Sequence, residues 1–172
     1  MNWRFRPFNC TYLNTVVGTK SSYSKKPQQL LQVSIRNNYA MHQVSIPPRY
    51  CETDALGHIG NTTLPIWFEA ARLPFFKACL PPIEPKEWPL IIARIEVDYV
   101  GQIYLEPEVI IKNAISRIGT RSFTVYQEAW QGAKLVAKAN TVMVAFDFKL
   151  QETVNIKNTF RETLNEHLIA ST

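Results

Sequence analysis

The residues best suited to chemistry lie in one segment, Arg49 to Arg72, which reads RYCETDALGHIGNTTLPIWFEAAR. Asp54 sits in a polar, turn-prone run with Glu52 and Thr53 before it and Gly57 and Gly60 after it. Asn61, Thr62 and Thr63 follow, types whose side-chain oxygens satisfy unpaired backbone N–H groups at a helix start. Pro65 has the fixed φ and missing N–H that suit a first helical turn. Ile66, Trp67, Ala70 and Leu73 then recur at helical spacing. A carboxylate is thus set a few residues before the free N–H donors of a helix, an end that favours negative charge. Such an end can hold a carbonyl oxygen as it becomes an oxyanion, while Asp54 attacks or takes a proton from water. The competing reading is a turn or cap, since Asp serves there often.

The same string resembles the signature of the hotdog-fold acyl-CoA thioesterases of the 4-hydroxybenzoyl-CoA thioesterase type. The matching residues are Arg49-Tyr50, Glu52-Thr53-Asp54, Gly57-His58-Ile59 and Asn61, then the helix segment Phe68 to Arg72. The likeness continues through IEVDYVGQI (95–103), RIGTRSFTVYQE (117–128) and KLVAKANTVMVAFD (134–147). It covers about residues 43 to 155. The resemblance implies hydrolysis of an acyl-CoA thioester to a carboxylic acid and CoA, with no metal and no redox cofactor. It makes Asp54 the nucleophile, through a mixed anhydride, or the general base. It sets the backbone N–H at Asn61 against the substrate carbonyl. His58 becomes a second acid–base or hydrogen-bonding group, or else a residue that orders the loop or meets another subunit. Relatives often have two asparagines where this chain has Gly60-Asn61, so Gly60 offers substrate only its backbone N–H. Arg121, with Arg117 as a weaker companion, matches a basic position that meets the coenzyme A phosphates, a contact for which the guanidinium fork is suited. Glu69 is the minor alternative carboxylate, and at i,i+3 it is otherwise expected to pair with Arg72. A non-catalytic acyl-binding or assembly module shares the same fold. A hydratase is disfavoured, because the D-x-N-P-x-H pattern of that branch is missing after Asp54.

Length and charge set the frame. The chain has 172 residues, 46% of them hydrophobic, and a net charge of +5. Arg4, Arg6, Lys20, Lys25, Lys26 and Arg36 put +6 in the first 40 residues, which hold no acid, so the rest is close to neutral. A nucleic-acid surface on the body is therefore not expected. No apolar run approaches the ~20 residues of a membrane span. Cys10, Cys51 and Cys79 show no paired spacing and read as reduced thiols. His42, His58 and His167 are too scattered for a metal site. These features point to the cytoplasm. The alternative is an organelle, if residues 1–40 are a transit peptide rather than a flexible, dispensable extension ahead of Met41.

The elements that must position Asp54 follow from pattern. The expected domain runs from 41 to 155, with a tail at 156–172 that holds a short helix near 158–168. Val44 and Ile46 alternate in a first strand that Pro47-Pro48 end. A helix is expected from about Thr63 to Leu80, with Pro74 kinking it or ending it near Leu73. Pro81, Pro82 and Pro85 suggest a rigid loop. Residues 90–100, 108–118, 121–131 and 134–150 read as strands rich in β-branched and aromatic residues. Phe123, Val125 and Gln127 alternate with Ser122, Thr124, Tyr126 and Glu128, as a strand with one covered face should. The expectation is an α+β hotdog fold, one long helix wrapped by a four- or five-stranded antiparallel sheet. An uncovered long edge strand is a template for pairing, so a homodimer or homotetramer is expected.

Overall fold

The long helix α1, Thr63–Cys79, buries Leu64, Trp67, Phe68, Ala71, Arg72, Phe75, Phe76 and Cys79 along one side. The structure, a computed structural model, describes residues 41–79 and 89–169. The expectations for residues 1–40 and for the proline loop at 81–85 lie outside them. Strands β1 (His42–Ile46), β2 (Leu90–Tyr99), β3 (Val109–Ile118), β4 (Ser122–Gln131) and β5 (Lys134–Asp147) form one antiparallel sheet. Their spatial order is β1-β3-β4-β5-β2, and the two-residue β6, Glu152–Thr153, pairs with β5. The sheet packs around α1, which is the hotdog arrangement.

The core follows the alternation of the strands. On β4, Phe123, Val125, Gln127, Ala129 and Gln131 are buried and the residues between them are not. Small residues on β4 and β5, namely Ala129, Ala137 and Ala139, cluster with Trp67 and Phe68. Their size lets the aromatic side of α1 sit close to the sheet. A second cluster joins Phe75 and Phe76 to Phe123, Ile115 and Leu164. Leu164 belongs to helix α2, Asn158–Glu166, and is fully buried. The chain beyond α2 also ties to β3, through Ile115 N–H to the His167 carbonyl (2.9 Å) and Ile169 N–H to the Ile115 carbonyl (2.8 Å).

Two sequence expectations change. Helix α1 does not end near Leu73 but runs through Pro74 to Cys79. Pro74 lies on the exposed side, as does Ala70, whose carbonyl Pro74 leaves without its helical donor. Water can serve that carbonyl, while Phe75, Phe76 and Cys79 hold the last turns to the core. Arg72 does not pair with Glu69. It turns inward and is 2% exposed, with Nη1 donating to Gln127 Oε1 (2.9 Å) and Thr141 Oγ1 (3.1 Å). Gln127 Nε2 in turn donates to the Phe68 carbonyl (2.9 Å) and to Asn113 Oδ1 (2.7 Å). Asn113 Nδ2 donates to the His42 carbonyl (3.1 Å). One buried polar network thus joins α1 to four strands. Burial pulls the Arg72 pKa down, against the opposing pull of the Glu69 charge.

Candidate active site

The loop before α1 is built on hydrogen bonds that its own sequence supplies. Asp54 N–H donates to the His58 carbonyl (2.7 Å), and Gly57 N–H to the Asp54 carbonyl (3.1 Å). Gly57 has φ +77°, a conformation that glycine adopts without strain. Asp54 Oδ1 accepts from Leu56 N–H (2.8 Å) and His58 N–H (3.1 Å). The turn role of this carboxylate is therefore real, but it uses one oxygen. Asp54 Oδ2 takes no hydrogen bond among the described residues.

Glu52 does the structural work of the motif. Its Oε1 accepts from Arg49 Nη2 (2.6 Å) and Nε (3.0 Å) and from Trp67 Nε1 (3.1 Å). Its Oε2 accepts from Arg49 N–H (2.7 Å), and its carbonyl accepts from Gly60 N–H (2.8 Å). The loop is thereby fastened to the first turns of α1. Burial raises the Glu52 pKa, but the bonds from Arg49 and Trp67 and the Arg49 charge outweigh it, so the carboxyl stays below its ordinary range.

The helix start leaves the Asn61 and Thr62 backbone donors without a protein acceptor among the described residues. Gly60 N–H is taken by Glu52, and Thr63 N–H donates to the Gly60 carbonyl (3.0 Å). No protein acceptor takes the Asn61 N–H among the described residues. Gly60 thus supports the loop with its N–H, and Asn61 keeps one of the two donors.

A cavity of 290 Å³ opens here, lined by Asp54, His58, Asn61, Leu64, Tyr99 and Gln102 among others. The sequence reading missed the segment that follows β2. Tyr99 Oη donates to the Asn61 carbonyl (2.8 Å), and Ile59 N–H donates to the Ile103 carbonyl (2.8 Å). His58 stands edge-on to Tyr104, with 5.1 Å between ring centroids. Asp54, His58 and Asn61 are therefore gathered at one place, whereas the Gly60 N–H expected to meet substrate is taken by the Glu52 carbonyl. The other candidates are not gathered there. Glu69 lines a separate, largely apolar cleft of 490 Å³ with Leu73, Phe76, Ile92 and Met143. Arg121 is exposed at the far end of the sheet, bonded to Thr153 Oγ1 (3.2 Å) and Asn155 Oδ1 (3.4 Å). Its carbonyl accepts from Ala145 N–H, whereas Tyr99 pairs with Ala137 on the same strand β5. Eight residues of strand separate these points, about 26 Å at ~3.3 Å each. Arg117 is exposed near that same end. Within one chain, then, neither arginine reaches Asp54.

Cys79 is buried, and burial first, then the Glu166 charge, pushes its thiol up to about 12, far from a nucleophile. Among the described residues no group of three or more His, Cys, Asp or Glu side chains gathers to hold a metal ion. No helix among them is long and apolar enough to cross a membrane.

A model of the thioesterase-like superfamily matches residues 48–164, a span that runs from the Asp54 loop to α2. The chain belongs to the thioesterase-like superfamily. Its likeness to a predicted thioesterase from Bacillus stearothermophilus is 41% identity with a TM-score of 0.73, covering 77% of this chain and 100% of that one. A thioesterase from Thermus thermophilus, solved with coenzyme A and Zn, is 24% identical with a TM-score of 0.67, over 73% of this chain and 93% of that one. A mutant 4-hydroxybenzoyl CoA thioesterase complexed with 4-hydroxybenzoyl CoA is 16% identical with a TM-score of 0.65, over 73% and 99%. At those identities the last two speak for the hotdog fold alone. The uncharacterized Bacillus subtilis protein YsmA is 33% identical over 78 residues, 45% of this chain. The match spans about half, 53%, of that curated relative. The Asp54 cavity is lined both by Asp54, whose Oδ2 takes no hydrogen bond among the described residues, and by Asn61, whose N–H has no protein acceptor there.

Proposed function

We propose that this protein is an acyl-CoA thioesterase that converts acyl-CoA and water to a carboxylic acid and CoA. The observation that carries the reading is the pairing of Asp54, with Oδ2 unengaged, and the Asn61 N–H on one cavity. In this reading the thioester carbonyl points at the start of α1. Asp54 Oδ2 attacks the carbonyl carbon or takes a proton from the attacking water. The negative charge on the carbonyl oxygen is stabilised by the Asn61 N–H and the helix end.

The working form in this reading is at least a homodimer. Strand β2 is a ten-residue edge strand, with Ile92 42% and Ile95 40% exposed. Beside it, α1 exposes Ile66 and Leu73. An antiparallel join of two β2 strands runs the second copy's sheet in the opposite sense. The Arg121 end of one copy then faces the Asp54 end of the other, which gives Arg121 and Arg117 a route to the coenzyme A phosphates.

The deciding experiment is thiol release from a panel of acyl-CoA substrates by the full chain and by Asp54→Asn. Asparagine keeps an oxygen for Leu56 and His58 N–H, so the loop should fold and the melting temperature should stay near wild type. Turnover should fall by about 10²-fold or more, as expected for losing a positioned base. A variant rate within a few-fold of wild type would remove Asp54 from the chemistry. Binding of acyl-CoA without turnover by the wild type would make the protein a binding module instead.

A further inference from the structure

Gln102 joins Asp54, Asn61 and Tyr99 in lining the Asp54 cavity. We infer that the Gln102 side-chain amide donates to the substrate carbonyl oxygen alongside the Asn61 N–H; this rests on the thioesterase reading above. The first argument is a count of donors. Gly60 and Thr63 have their N–H groups bonded within the loop, and of the two neighbours whose N–H has no protein acceptor among the described residues, Asn61 lines the cavity and Thr62 does not. An oxyanion can accept several hydrogen bonds, and each preorganised donor contributes to lowering the barrier. Gln102 lines the same cavity as Asp54 and Asn61.

The second argument is orientation. Tyr104 Oη donates to Gln102 Oε1 (2.9 Å). The carboxamide oxygen is thus engaged, and Nε2 is left without a partner among the described residues. Tyr104 is itself fixed. Its N–H donates to Gln131 Oε1 (3.0 Å), and its carbonyl accepts from Gln131 Nε2 (2.8 Å). Gln131 is buried and also donates to the Pro107 carbonyl (2.7 Å). On the other side, Gly101 N–H donates to the Val136 carbonyl (2.9 Å), and Ile103 holds Ile59 of the Asp54 loop. A solvent-exposed glutamine is therefore mounted on anchored backbone and turned by a neighbour's hydroxyl. Little ordering is left for the moment of reaction, which is what preorganisation requires.

The test compares the full-length wild type, Gln102→Met, Tyr104→Phe and the double variant on acyl-CoA hydrolysis, with Asp54→Asn alongside. Methionine keeps length and removes the donor. Gln102→Met should lower kcat about 10²-fold with KM within about twofold of wild type, the pattern of a contact made in the transition state alone. The melting temperature should not move, because Gln102 is exposed. Tyr104→Phe frees the carboxamide to rotate and should cost roughly fivefold in kcat, and nothing further in the Gln102→Met background. Tyr104 is then a positioning residue acting through Gln102. A Gln102→Met kcat within about threefold of wild type, with Asp54→Asn inactive, overturns this inference and leaves the thioesterase reading intact. Equal losses from Tyr104→Phe with and without Gln102 also overturn it. A wild type that hydrolyses no thioester overturns both.

Discussion

Replacing Gln127 with leucine should destabilise the fold sharply, although the two side chains are close in size. Gln127 is fully buried at the centre of the sheet. It accepts from Arg72 and donates to Asn113 and the Phe68 carbonyl. In Gln127→Leu the Asn113 Oδ1 loses its donor, and each orphaned buried polar group costs about 1–3 kcal/mol. The Arg72 guanidinium is left with Thr141 as its side-chain acceptor, while its Nη2 already lacks any partner. Stripping a partner from a buried charge costs about 3–5 kcal/mol. Leucine recovers part of this through apolar burial, so a net loss of about 3–5 kcal/mol is expected. For a chain of this length that lowers Tm by roughly 6–20 °C, at about 2–4 °C per kcal/mol. The assay is thermal and urea unfolding followed by circular dichroism. The decisive comparison adds Arg72→Met alone and together with Gln127→Leu. Removing the charge should relieve the leucine variant, so the double variant should be more stable than the sum of the singles by at least about 1 kcal/mol. A Gln127→Leu loss below about 1 kcal/mol, or strict additivity, would show that the network contributes no such coupling.

Two further outcomes follow from the sheet edge and the distant arginines. Ile95→Arg places a charge in the middle of the open β2 edge and should convert a dimer to a monomer by light scattering at micromolar concentration; an active wild-type monomer would refute the edge-to-edge arrangement. Arg121→Ala should raise KM for acyl-CoA several-fold and leave kcat nearly unchanged, the mark of a contact made equally in ground and transition states. Equal weakening toward a short thioester without the nucleotide would assign Arg121 to its bonds with Thr153 and Asn155 instead.

The features visible in the sequence are those written locally. The turn around Asp54, the start of α1 and the alternation of β4 each depend on residues within one turn or one strand. The fate of Arg72 depends on Asn113, Gln127 and Thr141, which stand on three strands far along the chain. An arginine three residues after a glutamate looks like a surface pair when only the helix is considered. A signal is nevertheless present. Phe68, Arg72 and Phe76 share an i,i+4 spacing, so Arg72 falls on the buried side. Gln127 shares the covered face with Phe123 and Val125. Two polar residues in phase with the core imply that they meet. At Pro74 the early end near Leu73 is the alternative that fails, because local helix propensity leaves out the aromatic residues that hold both flanks. Tyr99 and Gln102 lie in the segment 95–103 that carries the family likeness, but nothing in the types of Tyr99, Gln102 or Tyr104 assigns them to the site. They join the site only because the segment after β2 returns to the Asp54 loop through the Ile59–Ile103 bond.

The two acids of the signature show why the spacing matters more than the presence of carboxylates. Glu52 and Asp54 are two residues apart, and on extended chain they would face the same way. The short 3-10 turn at Tyr50–Glu52 ends between them, and the Asp54–His58 turn begins at once. The break sends Glu52 inward, under Trp67, where Arg49 and the indole occupy its oxygens and hold it ionised. It sends Asp54 outward to line the cavity, where backbone N–H groups of its own turn fix Oδ1 and leave Oδ2 without a hydrogen bond among the described residues. One carboxylate is thereby committed to holding the loop against α1, and its rigidity aims the second. Their roles differ because the Glu52 oxygens are taken by Arg49 and Trp67, whereas Asp54 Oδ2 takes no hydrogen bond among the described residues. The chemistry proposed for Asp54 therefore depends on Glu52 never taking part in it.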